Sequence, residues 1–202
     1  MTEASIDELL EMAQRRRLSK AQLDRAAERL TAAAGSNSGD LYEILTVIGL
    51  AGDEQYERYV APLVEYRQDP MIAALALKVL CEYWGLARKY DQELQGFIKG
   101  VPWDSDNTVR LAALSIAGEQ LRAARNDGLL LLVTRAYGRI QNDPFVRAGA
   151  YFALSRAAGL AWADLPSATK PLSIDHEPSK TVSMFLQENG LPVQRRDQGD
   201  ST

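Results

Sequence analysis

Asp143-Pro144-Phe145-Val146-Arg147 is the stretch that decides the fold, because it occurs in modified form twice before in the chain. The earlier copies are Asp69-Pro70-Met71-Ile72 and Asp106-Asn107-Thr108-Val109, and consecutive copies begin 37 residues apart (106 − 69 and 143 − 106). A constant period of this size indicates stacked copies of one supersecondary unit, each too small to bury its own apolar face.

The repeat also preserves an apolar face. Residues four apart share one face of an α-helix, so the spacing predicts a helix that begins at each aspartate and buries that face. An aspartate cap followed by proline favours such a helix start. Gly85 and Gly159 each lie sixteen residues after their aspartate and are predicted helix C-caps. The fourth, eighth and twelfth residues of the copies are Ile72, Val109 and Val146; Ala76, Ala113 and Ala150; and Leu80, Ala117 and Leu154.

The flanking segments show helical patterns as well. Capping signals at Ser5-Ile6-Asp7-Glu8 and Ser19-Lys20-Ala21-Gln22 predict a hairpin of two helices over residues 1–34. A loop and one helix are predicted over residues 161–190. We expect both segments to cover the ends of the stack, and residues 191–202 to form a flexible tail.

These repeats resemble HEAT-like repeats, whose second helix opens with Asp-Pro-x-Val-Arg and carries small residues further along. The resemblance covers roughly residues 40–160 and is strongest over 69–159, although Ala73 stands where the first copy would carry arginine. It implies an all-α, right-handed α-solenoid of stacked helical hairpins, capped at both ends, in one domain over residues 1–190. Folds of this type generally bind proteins, while some read nucleic acids and a few are enzymes.

The titratable residues do not assemble a catalytic or metal site. The chain has one cysteine and one histidine, which excludes an internal disulfide and most ligand sets. We expect His176 to be a solvated loop residue, because adjacent side chains in a loop diverge, and Cys81 to be an inert thiol on a packed helix. No strand precedes a glycine-rich phosphate loop. The sequence therefore predicts a non-enzymatic protein without catalytic residues, metal or cofactor.

The charge pattern bears on location and partners. The N-terminus is acidic instead of basic, and the longest aliphatic run is too short to span a bilayer, so we expect a cytoplasmic protein without membrane contact. The net charge of −4 hides an asymmetry. Residues 35–104 hold eleven acids against six bases, whereas residues 105–160 hold four acids against seven arginines.

Ten residues are predicted to contact a partner. Counting outward from the buried repeat positions places six on the inner surface of the stack, and an acidic region interleaved with aromatics supplies the other four. The six inner-surface residues are Lys78, Glu82, Ser115, Glu119, Phe152 and Arg156, and the four of the acidic region are Glu54, Glu57, Trp84 and Trp103.

Arg110 and Arg147 share a repeat position, and we expect them to pair with aspartates and join the repeats.

Three functions fit these features. The first is a protein-binding module, for example an inhibitor or immunity protein whose acidic surface blocks the active site of a basic, nuclease-like toxin. The second is a nucleic-acid-binding repeat protein resembling DNA-alkylation repeat proteins and using Arg122, Arg125, Arg135 and Arg139. The third is a scaffold subunit that associates with its own copies.

Overall fold

The computed structural model describes residues 5–36, 39–139, 141–168 and 170–192. Over these ranges the chain is helical and contains no strand, which confirms the predicted all-α class. None of the helices within them is long and apolar enough to cross a membrane. Of the predicted flexible tail at 191–202, residues 193–202 lie outside the described ranges. The α-helices are α1 (Ile6–Gln14), α2 (Lys20–Ser36), α3 (Leu41–Ala51), α4 (Glu57–Val60), α5 (Pro70–Lys78), α6 (Asp91–Lys99), α7 (Thr108–Ala123), α8 (Asp127–Gly138), α9 (Pro144–Ala157) and α10 (Lys180–Glu188).

The described residues form two compact units. The first takes the residues up to Glu93 together with Val101–Ala112, and the second takes Leu94–Gly100 together with the residues from Ala113 onward. In the first unit α3 packs against α1, α2 and α5. In the second unit α9 packs against α8 and α10. The single domain over residues 1–190 stays a prediction.

The helix starts follow the predicted caps at most sites. Ser5 and Glu8 form a reciprocal capping box at α1. Asp69 and Asp143 cap α5 and α9, where their carboxylates accept from the backbone N–H two residues on at 2.8 and 2.7 Å. A proline follows each of the two aspartates as the first helical residue. The Asp-Pro motif therefore acts as a helix start, because it satisfies one free N–H and removes another.

The middle copy of the repeat is capped differently. The predicted cap was Asp106, but the Oδ2 atom of Asp104 accepts from the backbone N–H of Arg110 at 3.0 Å. Asn107 precedes the helix with a φ of 58°, a left-handed conformation that asparagine tolerates better than most residues. The assignment to Asp106 was wrong because this copy lacks the proline and turns through an extra left-handed residue.

The repeat positions are buried as predicted. All nine residues at the fourth, eighth and twelfth positions are buried, and their exposed fractions do not exceed 2%. Gly85 and Gly159, the predicted C-caps, have φ values of 70° and 83° and thus end their helices in the left-handed region. Small residues also allow close helix approach in the second unit. A Cβ atom on Gly118 of α7 would lie 2.8 Å from the Cα atom of Ala153 on α9.

Candidate protein-interaction surface

An exposed tryptophan follows the last Asp-Pro helix. Trp162 begins a short 3₁₀ helix, Trp162–Asp164, and is 69% exposed, the largest fraction among the large apolar side chains of the described residues. Its ring is tilted by 53° against the ring of Phe152, with the centroids 6.0 Å apart. The guanidinium carbon of Arg156 lies 4.5 Å from the Trp162 ring centroid. We call Glu119, Phe152, Arg156 and Trp162 the Trp162 surface.

Arg156 packs against the Trp162 ring and is itself fixed by hydrogen bonds. Its Nε atom is 2.5 Å from the Oε1 atom of Glu119, and its Nη1 atom donates to the backbone oxygen of Leu160 at 3.2 Å. Only 5% of its side chain is exposed. Hydrogen bonding from Arg156 is the main reason that the pKa of Glu119 is lowered, and Arg122 adds a contact at 3.3 Å. The guanidinium below the indole is therefore held in one orientation.

The contact between Glu119 and Arg156 joins equivalent positions of two repeats. The residues are 37 apart in sequence, which is the period of the repeat. Sequence reasoning expected links between repeats at Arg110 and Arg147 and did not expect one here. It placed Arg156 on open surface, and that placement was wrong because Glu119 and Trp162 cover the guanidinium.

The other two predicted residues of the second unit, Ser115 and Phe152, lie on the same helices as Glu119 and Arg156. Ser115 is half-buried on α7, one helical turn before Glu119. Phe152 is half-buried on α9, one turn before Arg156. The counting argument thus brought together three of the four side chains of the Trp162 surface, although nothing in it pointed to Trp162 itself.

The predicted residues Lys78 and Glu82 lie in the first unit at the end of α5. Lys78 is half-buried and Glu82 is exposed. A π-helical segment, Val79–Tyr83, continues α5. Because a π turn holds more residues than an α turn, α-helical counting loses its register after Lys78. Tyr83, which sequence reasoning did not single out for the inner surface, is 50% exposed here.

Glu57 is bound by neighbours within the first unit. Its Oε2 atom accepts from the Nζ atom of Lys89 at 2.6 Å, and its Oε1 atom accepts from the phenol of Tyr90. These two hydrogen bonds, the one from Lys89 first, lower the pKa of Glu57. Only 20% of the Glu57 side chain is exposed, so most of it is unavailable to a partner.

The remaining predicted contacts differ in exposure. Glu54 is exposed in the 3₁₀ helix Glu54–Tyr56, which Asp53 caps through Gln55 at 3.0 Å. Trp84 and Trp103 are half-buried. Among the described residues the buried Nε1 atom of Trp84 has no hydrogen-bond acceptor. Neither indole is exposed as Trp162 is.

His176 is packed, and the prediction of a solvated loop histidine was wrong. Its ring meets the Tyr151 ring at a centroid distance of 4.5 Å, and the Tyr137 phenol oxygen lies 3.2 Å from its Nδ1 atom. The Tyr137 phenol also donates to the His176 backbone oxygen at 2.9 Å. Burial is the main cause that lowers the pKa of His176, and the charge of Arg147 adds to it. The loop is therefore held by aromatic residues of α8 and α9.

Arg147 binds backbone oxygens instead of an aspartate. Its Nη2 atom donates to the oxygen of Ser173 at 2.7 Å and its Nε atom donates to the oxygen of Tyr137 at 3.4 Å. The residue is 5% exposed. The expected pairing with an aspartate was wrong, because the 172–179 loop brings carbonyl groups to a position that a linear repeat pattern cannot locate.

Two further observations concern a metal site and the reactivity of the cysteine. In the described ranges there is no group of three His, Cys, Asp or Glu side chains that could hold a metal ion. Cys81 is 5% exposed, and burial raises its pKa to about 12. A thiol of this kind is protonated at neutral pH and therefore a poor nucleophile.

Comparison of the chain with protein-family models, with curated proteins and with solved structures finds no match. The arguments about function therefore depend on the residues of this chain.

Trp162 is the functional candidate that sequence reasoning missed. The signal was present in the order Gly159-Leu160-Ala161-Trp162, in which an aromatic residue follows a helix C-cap and has no place in a helical stripe. A large aromatic residue outside every apolar stripe, on a loop held by a rigid scaffold, is a candidate for recognition.

Proposed function

We propose that this chain is a non-enzymatic α-helical repeat module that binds another protein and that Trp162 is its main anchor. The observation that carries the proposal is the 69% exposure of an indole whose orientation is already restrained from below by Arg156 and Phe152. Binding hot spots are enriched in tryptophan and arginine. An anchor that is ordered before binding loses less conformational entropy when the partner arrives.

The architecture in this proposal is a right-handed, HEAT-like solenoid, with residues 1–34 and 161–190 covering its ends. The burial of all nine repeat positions supports it. Contacts one period apart also support it, such as that between Glu119 and Arg156. In a stack of this kind, residues that are not needed for stacking are available for recognition.

The partner in the inhibitor form of the proposal is a basic toxin, such as a nuclease. Acidic residues of the segment 35–104 would guide its approach, and the exposed Glu54 and Glu82 are candidates for contact. Glu57 is a weaker candidate, because Lys89 and Tyr90 already bind its two oxygens. Inhibition would occur by occlusion, since no catalytic group is required.

The contacts of the arginines within the protein favour a protein partner over a nucleic acid. Four of the seven arginines in residues 105–160 bind groups of their own unit. Arg122 and Arg156 contact Glu119, and Arg125 contacts Asp127 at 2.7 Å. Arg147 binds backbone oxygens. A groove that follows a phosphate backbone needs exposed cations.

The test compares wild-type protein with the Trp162→Ala variant as bait in an extract of the source cells, followed by mass spectrometry of the captured proteins. We expect one stoichiometric partner on the wild type and at least about tenfold less on the variant, the loss typical of a hot-spot residue. Equal capture by the two baits would show that Trp162 is not the anchor, and the absence of any stoichiometric partner would contradict a binding role.

The control is Phe145→Ala, which removes another exposed aromatic residue, 43% exposed, from the same unit. It should capture as much partner as the wild type. Light scattering on the purified wild type adds a second check, because a stable homo-oligomer would favour a self-associating scaffold instead.

A further inference from the structure

An apolar groove lies between α8 and α10 in the second unit. Its volume is about 430 Å³. Its apolar lining includes Leu131, Tyr137, Leu186, Leu191 and Pro192, of which Tyr137 and Leu186 are buried. Leu131 is 37% exposed, although it is a leucine in the middle of a helix. The groove and the Trp162 surface have no residue in common.

Two arginines form the rim of this groove. Arg135 and Arg139 line it and are exposed. With Leu131 they follow one another at intervals of four residues, so they lie in one row along α8 and its C-terminus. The row from 131 to 139 covers eight residues, which corresponds to about 12 Å of helix length. The small residues Thr134 and Gly138 lie beside the row and leave room for another backbone to approach.

We propose that this groove binds an amphipathic helical segment of a partner protein, with aliphatic anchors on one side and acidic residues one helical turn apart. The inference rests on the proposed function as a protein-binding module. The apolar lining fits the anchors, and the spacing of Arg135 and Arg139 matches two carboxylates at positions i and i+4. Helix-in-groove recognition uses this combination.

Charge and shape select this occupant over two others. The residues that follow Pro192 carry two arginines and two aspartates, Arg195, Arg196, Asp197 and Asp200, so they bring no net negative charge to the arginine rim, and Val193 is their only aliphatic residue. A fatty acid would carry one carboxylate, whereas the rim presents two guanidinium groups one turn apart. A helix with two acidic residues satisfies both guanidinium groups, and its aliphatic side chains cover the apolar lining.

The experiment selects displayed peptides of about 15 residues, a length at which an isolated helix becomes marginally stable, on the immobilised full-length protein. Selected peptides are then synthesised, and their affinities are measured for the wild type and for the Arg135→Gln/Arg139→Gln and Leu131→Gln variants. Arg67→Gln/Arg88→Gln is the matched control, because it removes the same charge from exposed residues of the first unit.

We expect the selected peptides to contain aliphatic residues and an acidic pair three or four residues apart. Their affinity should fall by about tenfold or more in the arginine double variant and in Leu131→Gln, and it should not change in the control. Failure to enrich peptides, peptides without acidic pairs, or equal affinity for the arginine variant would overturn the proposal. Saturable binding of decanoate that requires Arg135 and Arg139, without peptide binding, would overturn it in favour of a lipid ligand.

The peptide-binding experiment can fail independently of the Trp162 capture experiment. A partner captured through Trp162 by a protein whose groove binds no peptide would leave the proposed function intact and remove this inference. Selected peptides should bind Trp162→Ala as well as they bind the wild type.

Discussion

Two buried arginines show how single residues of this chain are stabilised. A buried cation is costly unless its N–H groups are satisfied. Arg156 finds a carboxylate in Glu119, and Arg147 finds the backbone oxygens of Ser173 and Tyr137. Both solutions bring distant parts of the chain together, so each arginine helps to position the segment that carries its acceptor.

His176 makes stability depend on pH. Its pKa in the folded protein is lowered by burial and by Arg147, while that of the unfolded chain is near 6.5. Above the unfolded value both states are neutral and the packing contributes fully. As the pH falls below it the unfolded chain binds the proton first, so stability decreases until the folded pKa is passed. The other titratable groups that act on this cluster are Tyr137, Tyr151 and Glu177.

Urea unfolding between about pH 7.5 and about pH 5.5 measures how the free energy of unfolding depends on His176, which is the only histidine of the chain. We expect the free energy of unfolding to fall over this range in the wild type. His176→Phe keeps a ring against Tyr151 but cannot titrate, so its decline should be shallower. Identical slopes for the two proteins would show that His176 does not couple folding to pH.

At the scale of elements, the contact between α7 and α9 limits the size of a side chain. A Cβ atom on Gly118 would lie 2.8 Å from the Cα atom and 3.1 Å from the oxygen of Ala153, and backbone atoms cannot move as a flexible side chain can. We expect Gly118→Ala to lower stability by about 1–3 kcal/mol, the usual cost of overpacking. Thermal or denaturant unfolding measures it.

Gly96 is a helical glycine without close neighbours and serves as the control for Gly118. It also lies inside a helix, α6, but a Cβ atom there meets nothing within 4 Å. Gly96→Ala should raise stability by about 0.5–1 kcal/mol, because alanine restricts the unfolded chain and favours the helix. Stabilisation by both substitutions would mean that α7 and α9 are not in close contact.

The elements also show the limits of a repeat pattern. Asp69 and Asp143 cap their helices as the pattern predicts, whereas Asp104 replaces Asp106 at α7. The π-helical segment after α5 is equally invisible, because Val79 to Tyr83 carry no proline or glycine that would mark it. A pattern identifies which residues are buried, but the local backbone geometry depends on neighbours that the pattern does not contain.

At the scale of the whole molecule, charge argues against binding to nucleic acid. The net charge is −4, and Arg122, Arg125, Arg147 and Arg156 bind groups of the protein itself. We expect no steeply salt-dependent binding to a labelled DNA duplex at low or moderate salt, because few phosphate contacts could form. Mobility shift or fluorescence anisotropy measures it.

Binding that falls steeply with salt and is lost in the Arg135→Gln/Arg139→Gln variant would reverse this conclusion. That result would support a nucleic-acid-binding repeat protein. Light scattering on the wild type without added duplex is the control. It shows whether the protein associates with itself, which would also change the anisotropy.

The sequence by itself determined the helices and the core. The 37-residue period, the Asp-Pro starts and the small eighth residue are local or periodic signals, and helix formation and burial depend on them directly. The sequence also located Glu119, Phe152 and Arg156 on neighbouring helix faces. These features could be predicted because equivalent residues in successive repeats occupy equivalent environments.

Only the tertiary structure decided which exposed groups meet. The covering of Arg156 by Trp162, the packing of His176 against Tyr151 and the groove beside Leu131 all involve segments outside the repeat. Their positions depend on how irregular loops return to the helices, and such returns have no period from which they could be read. The repeat therefore explains the scaffold, and the non-repeated segments between and after its helices supply the candidate binding surfaces.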